Sequence, residues 1–323
     1  MIKKVLLAVQ IMFMLFVPAA ALFYFYAVDV INTPQKIDES KIINIKSGAS
    51  LASIAQTLKK DGIIAKEQYF ILYSKLNKIY PQIKAGEYLI ESDISLRQLA
   101  DLLSSGKVYL RKITFAEGLT SREISALLYE NDLLEGDFDS FAEGEFLPET
   151  YTFSRGEERQ KIVKQGKAAM QNILRQAWNG RDSDLPLKNE RELLILASVI
   201  EKETGVAAER PQVASVFVNR LKKGMLLQTD PTVIYAVTKG QTDLKRPLTY
   251  RDLATDSPYN TYKYAGLPPA PICNPGKAAI MAAAHPDKTP YLYFVASGTG
   301  GHNFAKTLDE HNANVRKWRS VKK

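Results

Sequence analysis

Cysteine is almost missing from this 323-residue chain, with Cys273 its only example. A single thiol excludes an intramolecular disulfide framework and any CxxC metal site. With no paired histidine evident nearby, Cys273 reads as a small core residue rather than a nucleophile. Histidine is scarce as well. His285, His302 and His311 lack zincin or zinc-finger spacing, so neither a metal nor a cofactor is expected. What the chain does hold is 46% hydrophobic residues, ample for packed cores in a length that allows roughly two to three domains.

The formal charge of +8 is uneven. Residues 1–150 carry 16 Lys and Arg against 19 Asp and Glu, whereas residues 151–323 carry 27 against 16. A basic half suits an anionic polymer or a membrane surface. Nucleic acid is the obvious candidate, but the N-terminus argues against it. Lys3 and Lys4 precede an uncharged run from Val5 to Val28. As a helix this run reaches about 36 Å, enough to cross a bilayer. A cleavable signal peptide is the rival, because Ala19-Ala20-Ala21 offers a cleavage site. The apolar run continues through Leu22-Phe23-Tyr24-Phe25-Tyr26, which favours a retained span with an aromatic belt. The positive-inside rule then places residues 1–4 in the cytoplasm and everything after Asp29 outside. In a bacterium this excludes chromosomal DNA and leaves the cell wall as the polymer within reach.

Residues 29–41 read as a polar linker. Ile42–Lys46 alternates as a strand, Ser50 caps a helix with apolar positions Leu51, Ile54, Ala55 and Leu58, a second helix covers 66–78, and Gly86–Ile90 is again a strand. This βααβ order over 42–106, with Gly48-Ala49-Ser50-Leu51-Ala52-Ser53-Ile54-Ala55 at its start, resembles a LysM domain, a small glycan-binding module. A packing or spacer unit explains it equally well. An echo follows 70 positions on: Gly118, Thr120, Ile124, Leu128, Leu133 and Leu134 match Gly48, Ser50, Ile54, Leu58, Ile63 and Ile64. Thr120 and Glu123 form a capping box, so residues 107–145 read as a second β-α unit.

The region 146–323 is dense in motifs. A long helix is predicted over 157–178. Asn189 then caps a helix whose interior, Leu193–Ile200, is almost wholly apolar and whose end carries Glu201 and Glu203. Glu192 is placed to complete a capping box, and Gly205 to stop the helix. Carboxylates at the edge of an apolar core suit a general acid, because burial raises a carboxyl pKa. Solvated last-turn acids are the plainer reading, and the spacing does not rank the two glutamates. Pro211 opens the next helix. Asp230 reads as an N-cap before Pro231 at the first helical position. The aromatic, amide and proline loop Tyr259–Pro271 suits sugars, whose apolar faces stack on rings while hydroxyls bond amides. Asn274-Pro275-Gly276 caps a helix of small residues, and a strand through Tyr291–Ala296 turns at Gly298–Gly301 into His302–Ala305. A last helix from Leu308 ends in Arg316, Lys317, Arg319, Lys322 and Lys323.

Six separated strings now align in order. They are Gly144-Glu145-Phe146-Leu147-Pro148-Glu149-Thr150-Tyr151, Ala197-Ser198-Val199-Ile200-Glu201-Lys202-Glu203-Thr204, Val216-Phe217-Val218-Asn219-Arg220-Leu221, Gln228-Thr229-Asp230-Pro231-Thr232-Val233-Ile234-Tyr235, Tyr259-Asn260-Thr261-Tyr262 with Gly266-Leu267-Pro268-Pro269, and Leu292-Tyr293-Phe294-Val295 with Gly300-Gly301-His302-Asn303-Phe304. Together they resemble the MltG/YceG-like endolytic murein transglycosylase family. Glu149 stands where an aspartate is more usual, and Asn303 lies within a variable His-x-Phe pattern. The resemblance implies an α+β fold with a single N-terminal transmembrane helix, a small βααβ LysM-like domain and a mixed α/β catalytic region over 107–323, its core at 146–323.

It further implies a single-pass enzyme of the bacterial cytoplasmic membrane, its N-terminus cytoplasmic. Nascent peptidoglycan glycan strands would be cut internally between N-acetylmuramic acid and N-acetylglucosamine, leaving a 1,6-anhydro end that terminates elongation. Peptidoglycan polymerases are the expected protein partners. The family's catalytic glutamate in E-K-E-T is carried onto Glu201, the first acid of the string. Glu149, Tyr151, Asn219, Gln228, Asp230, Asn260, Tyr262 and His302 are the candidate substrate contacts. Glycosidases generally need two carboxylates, but here one suffices, since the sugar's own 6-hydroxyl is the nucleophile. A muramidase pairing Glu201 with Glu203, Asp230 or Glu149 remains an alternative, as does a non-catalytic wall tether.

Overall fold

The computed structural model describes residues 2–241 and 244–321; Lys322 and Lys323 of the basic C-terminal run lie outside them, as does Met1. The chain divides into two compact units, Met1–Arg111 with Thr152–Gly156, and Lys112–Tyr151 with Glu157–Lys323.

The first unit begins with the apolar helix Ile2–Asn32. Within it Gln10–Asn32 is long and apolar enough to cross a membrane, reaching about 34 Å against a hydrocarbon core of roughly 30 Å. The helix runs past the expected end at Val28. The expected linker is also partly ordered, since Gln35–Lys36 pairs antiparallel with Asp93–Ile94. Strands Lys41–Ile45 and Gly86–Ile90 pair antiparallel, with Ile43 opposite Tyr88. Helices Leu51–Lys60 and Glu67–Leu76 lie between them in sequence, so the βααβ order is present. Ser50 caps the first helix through the Ser53 amide, and Leu51, Ile54, Ala55 and Leu58 form its buried stripe. A further helix, Leu96–Ser105, starts from a Ser95/Gln98 capping box. In this unit Glu87 is buried, and the Arg111 fork at 2.7 and 3.1 Å, with Arg155 at 3.4 Å, holds its carboxyl below the usual range.

The second unit opens on the echo. Helix Ser121–Glu130 has the Thr120/Glu123 capping box. Gly118 turns the chain at φ +79° as Gly48 does at +72°, a conformation glycine adopts without steric cost. Ile124 and Leu128 are fully buried, as Ile54 and Leu58 are. The glycine turn, the helix cap and these two buried positions thus recur in both segments. Most of the unit's core lies among helices Arg159–Gly180, Glu190–Glu203, Arg210–Lys222 and Lys277–Ala284. Five of the eight residues of Lys277–Ala284 are Ala, so its backbone can approach the Glu190–Glu203 helix closely. Hairpin strands Tyr293–Ala296 and His302–Ala305 pair with Phe304 opposite Phe294, and Leu308–Val321 forms the last helix.

Three local expectations are corrected. Glu192 accepts from the Lys188 amide (2.8 Å) rather than from the cap residue's own, while Asn189 still accepts from Glu192 N at 3.0 Å. The helix stops because Thr204 turns extended (φ −139°), not through a left-handed Gly205. Asn274 does not cap the Lys277–Ala284 helix, whose cap residue is Gly276. Instead it is fully buried, accepting from the Gly144 and Phe146 amides and donating to Leu119 O, Ser121 Oγ and Glu143.

Phe146, also fully buried, lies against Gly166 of the Arg159–Gly180 helix, where an added Cβ would sit 2.2 Å from the ring. Alanine normally outranks glycine in a helix by about 1 kcal/mol. Here overpacking, about 1–3 kcal/mol, outweighs that gain. Gly166→Ala is expected to lower Tm in a thermal melt, whereas a rise would show that the ring moves aside freely.

Candidate active site

The two glutamates of the E-K-E string sit two positions apart on a helix of 3.6 residues per turn, so they point about 200° apart. Their surroundings differ accordingly. Glu201 faces inward, its side chain 4% exposed. One carboxylate oxygen accepts from Arg210 Nη2 at 2.9 Å and the other from the Gly276 amide at 2.8 Å. The same guanidinium nitrogen donates to Glu117 at 3.1 Å. A side chain at Gly276 would land 1.8 Å from Glu117 Oε1 and displace that carboxylate from its place. Burial raises the Glu201 pKa, while the Gly276 amide and Arg210 oppose the rise. Both oxygens are engaged, tying the end of one helix to the starts of two others.

Glu203 faces the other way. Thr229 donates its hydroxyl to the Glu203 carboxyl. Thr229 occupies the cap position of helix Asp230–Thr238 without bonding that helix through its side chain, so its hydroxyl is free for the glutamate. Burial is the main influence on Glu203, and the nearby Asp230 charge adds to it, pushing the pKa up to about 7 despite the Thr229 bond and the charges of His302 and Arg220. A carboxyl with that pKa is available as acid and as base near neutrality.

Around Glu203 the chain is shaped by the 226–230 segment. Gln228 takes a left-handed backbone at φ +49°, rare outside glycine and characteristic of functional turns. Its amide donates to Thr261 O at 3.1 Å, and the Thr229 amide to Thr261 Oγ1 at 3.1 Å. Asp230 is the first helical residue rather than the cap, and its carboxylate accepts from the Tyr262 hydroxyl at 2.6 Å. Burial, then that bond, drives the Tyr262 pKa upward. His302 donates its backbone amide to Glu209 at 2.9 Å, with its Nδ1 2.8 Å from the other oxygen. Burial opposes the ionised form of Glu209, but the His302 contacts prevail and lower its pKa.

The residues read from sequence thus separate. Asp230 and Tyr262 lie near Glu203, Gln228 directly precedes the Thr229 that bonds it, and His302 contacts Glu209. Three others are committed to the fold. Tyr151 donates its hydroxyl to Leu147 O (2.6 Å). Asn219 donates to Thr289 O (2.8 Å) and Tyr291 O (2.9 Å). Asn260 donates to Leu253 O (2.9 Å) and Thr255 O (2.8 Å), and its own oxygen accepts from the Tyr262 amide. Glu149 is exposed, and its backbone carbonyl accepts from the Phe115 amide at 3.1 Å. Sequence reasoning passed over Thr229, Arg210 and Glu117. The half-turn separation of Glu201 and Glu203 signals that the two face different surroundings, but it does not rank them. Among the described residues no group of His, Cys, Asp and Glu could hold a metal ion. Cys273 is a buried core thiol whose pKa burial pushes up.

A model of the YceG-like family matches residues 43–317. An endolytic murein transglycosylase of Bacillus subtilis (strain 168) is 34% identical over 335 aligned positions, covering 93% of this chain and 91% of the relative. An endolytic murein transglycosylase of Streptococcus pneumoniae serotype 2 is 29% identical, covering 84% of this chain and 57% of its own longer length. The crystal structure of the yceG-like protein lmo1499 from Listeria monocytogenes superposes with a TM-score of 0.52 at 32% identity, covering 85% of this chain and 99% of that one. With a family match over most of its length and a relative above 30% identity along nearly all of it, the chain belongs to the YceG-like family.

Proposed function

We infer that this chain is an endolytic peptidoglycan transglycosylase and that Glu203, rather than Glu201, is its acid. Family membership and the names of the relatives support the activity. The observation that carries the assignment of the acid is geometric: Glu203 ends its helix with the Thr229 hydroxyl donating to its carboxyl, whereas both oxygens of Glu201 are bonded by Arg210 and the Gly276 amide. Glu201 would have to leave Arg210 and the Gly276 amide before it could reach a substrate.

In this mechanism protonated Glu203 donates to the glycosidic oxygen between N-acetylmuramic acid and N-acetylglucosamine. The C1–O bond breaks and charge develops at C1. The resulting carboxylate takes the proton of the muramic acid 6-hydroxyl as that oxygen attacks C1, so the 1,6-anhydro ring closes and Glu203 is protonated again. No water is consumed. Thr229 fixes the carboxyl's orientation. A second reading has one support: Asp230, held by the Tyr262 hydroxyl, is a second carboxylate of the kind a hydrolase uses. Product mass separates the two, since hydrolysis adds one water.

The span Gln10–Asn32 suits a single-pass anchor. Lys3 and Lys4 ahead of it favour a cytoplasmic N-terminus by the positive-inside rule. An anchor of this kind would hold the enzyme where polymerases extrude new strands, and the βααβ unit would serve as a LysM-like glycan contact.

Glu203→Gln is expected to fold normally and to lose release of anhydro-ended fragments by about a hundredfold or more, read by mass spectrometry on defined glycan strands. Glu201→Gln is expected to lower stability by about 3 kcal/mol, since it breaks a buried pair, with a matching fall in Tm. A Glu203→Gln enzyme of near-wild-type activity would return the role to Glu201. The pH dependence follows from the same proton. Wild-type kcat/KM is expected to fall above about pH 7 as Glu203 ionises. Because the folded state holds this proton more tightly than the unfolded chain, stability also falls as pH rises from the usual carboxyl range to about 7. Denaturant titrations of Glu203→Gln should lack that part of the slope.

A further inference from the structure

Near the other end of the helix that carries Glu203, roughly 18 Å along it at 1.5 Å per residue, Arg191 and Leu194 face a cavity of about 600 Å³. Its lining includes Tyr235 and Tyr259, whose ring centroids are 4.9 Å apart. Tyr235 also lines a second cavity, of about 430 Å³, bounded in addition by Lys202 and Pro231. Those two residues are the sequence neighbours of Glu203 and Asp230. The two cavities therefore share Tyr235 as a common wall.

The charges around the larger cavity do not balance. Its two acids are already occupied. Glu143 accepts from the Ser121 amide (2.9 Å), the Ser121 hydroxyl (3.2 Å) and the Asn274 amide group (3.3 Å), and burial raises its pKa. Glu145 is paired with Lys167 at 2.9 Å. The two arginines are exposed. Arg191 donates to the Pro269 carbonyl at 3.3 Å, and Arg122 has no hydrogen bond or ion pair among the described residues. Planar guanidinium groups match carboxylates with two parallel bonds. An aromatic pair with serine hydroxyls beside it suits a chain of peptide or sugar character. In a stem-bearing strand the lactyl carboxyl of each muramic acid is consumed in the amide to its stem, so the carboxylates that can answer the arginines are those of the stems themselves.

We propose that this cavity is a subsite for the peptide stem of the glycan strand, with Arg122 and Arg191 pairing a stem carboxylate and Tyr235 and Tyr259 packing against the stem. The assignment rests on the murein-cleaving reading given above. It makes the enzyme sensitive to the peptide state of its substrate at a distance from the bond it cuts.

The test uses the full-length chain in detergent and the double variant Arg122→Glu/Arg191→Glu. Two substrates are compared, strands bearing stems and strands stripped of them by an amidase. Free stem peptide released by the amidase is titrated separately by calorimetry. The wild type is expected to prefer stem-bearing strands, and the double variant to reduce that preference, as a ratio of kcat/KM, by about tenfold, with a similar loss of affinity for the free peptide. Should the double variant melt early, Arg122→Gln/Arg191→Gln replaces it. An unchanged preference with unchanged peptide affinity, or a wild type that binds no stem peptide, overturns the proposal. A chain that binds the peptide through these arginines yet cleaves neither substrate refutes the enzymatic reading and leaves the subsite standing.

Discussion

Much of the second unit hangs on one buried ion pair, Glu201 with Arg210. The carboxylate closes the end of the Glu190–Glu203 helix, the guanidinium starts the Arg210–Lys222 helix, and the Gly276 amide that bonds the other oxygen immediately precedes the Lys277–Ala284 helix. Three apolar helices that share a core would otherwise meet without a fixed angular register, since apolar packing is weakly directional. A buried ion pair is not by itself a strong source of stability. Its value here is geometric, because it sets which face of the helix end meets the neighbouring helices and hence which face is left for Glu203.

That division of labour gives the two acids of one motif different surroundings. E-K-E-T announces acids at the edge of a core, and both are indeed there with raised pKa values. What each is bonded to depends on partners far away in sequence, Arg210 and Gly276 for one and Thr229 for the other. The apolar run, the Asn189 cap, the capping box at Thr120 and the βααβ order depend on near neighbours and were legible directly. So was the repeat, because glycine turn, cap and buried positions recur at fixed spacing. Partner choice was not, and this is why Asn219, Asn260 and Tyr151, which look like ligand-binding residues in a string of letters, turn out to donate their hydrogens to backbone carbonyls.

The 226–230 segment shows the opposite case, where a local oddity marks the site. Asp230 and Pro231 suggest an ordinary helix start, and the structure moves that start by one residue. The shift frees the Thr229 hydroxyl and sends the Asp230 carboxylate to Tyr262. The left-handed Gln228 just before it supplies the bend. None of these three details follows from helix propensity, since each is imposed by Thr261 and Tyr262 from a loop about thirty residues on.

The direction of the chain matters as well. Glu203 is the last residue of its helix, beyond which Thr204 is extended. The aligned peptide dipoles of a helix place roughly half a negative charge at that end. The field of the helix thus opposes ionisation of the carboxyl it carries, in the same sense as burial does. The same side chain on the first turn would meet the positive end and be held as an anion. Reversing the helix within an unchanged core would therefore favour the ionised form of the same carboxyl, so the polarity of the backbone helps to set its protonation.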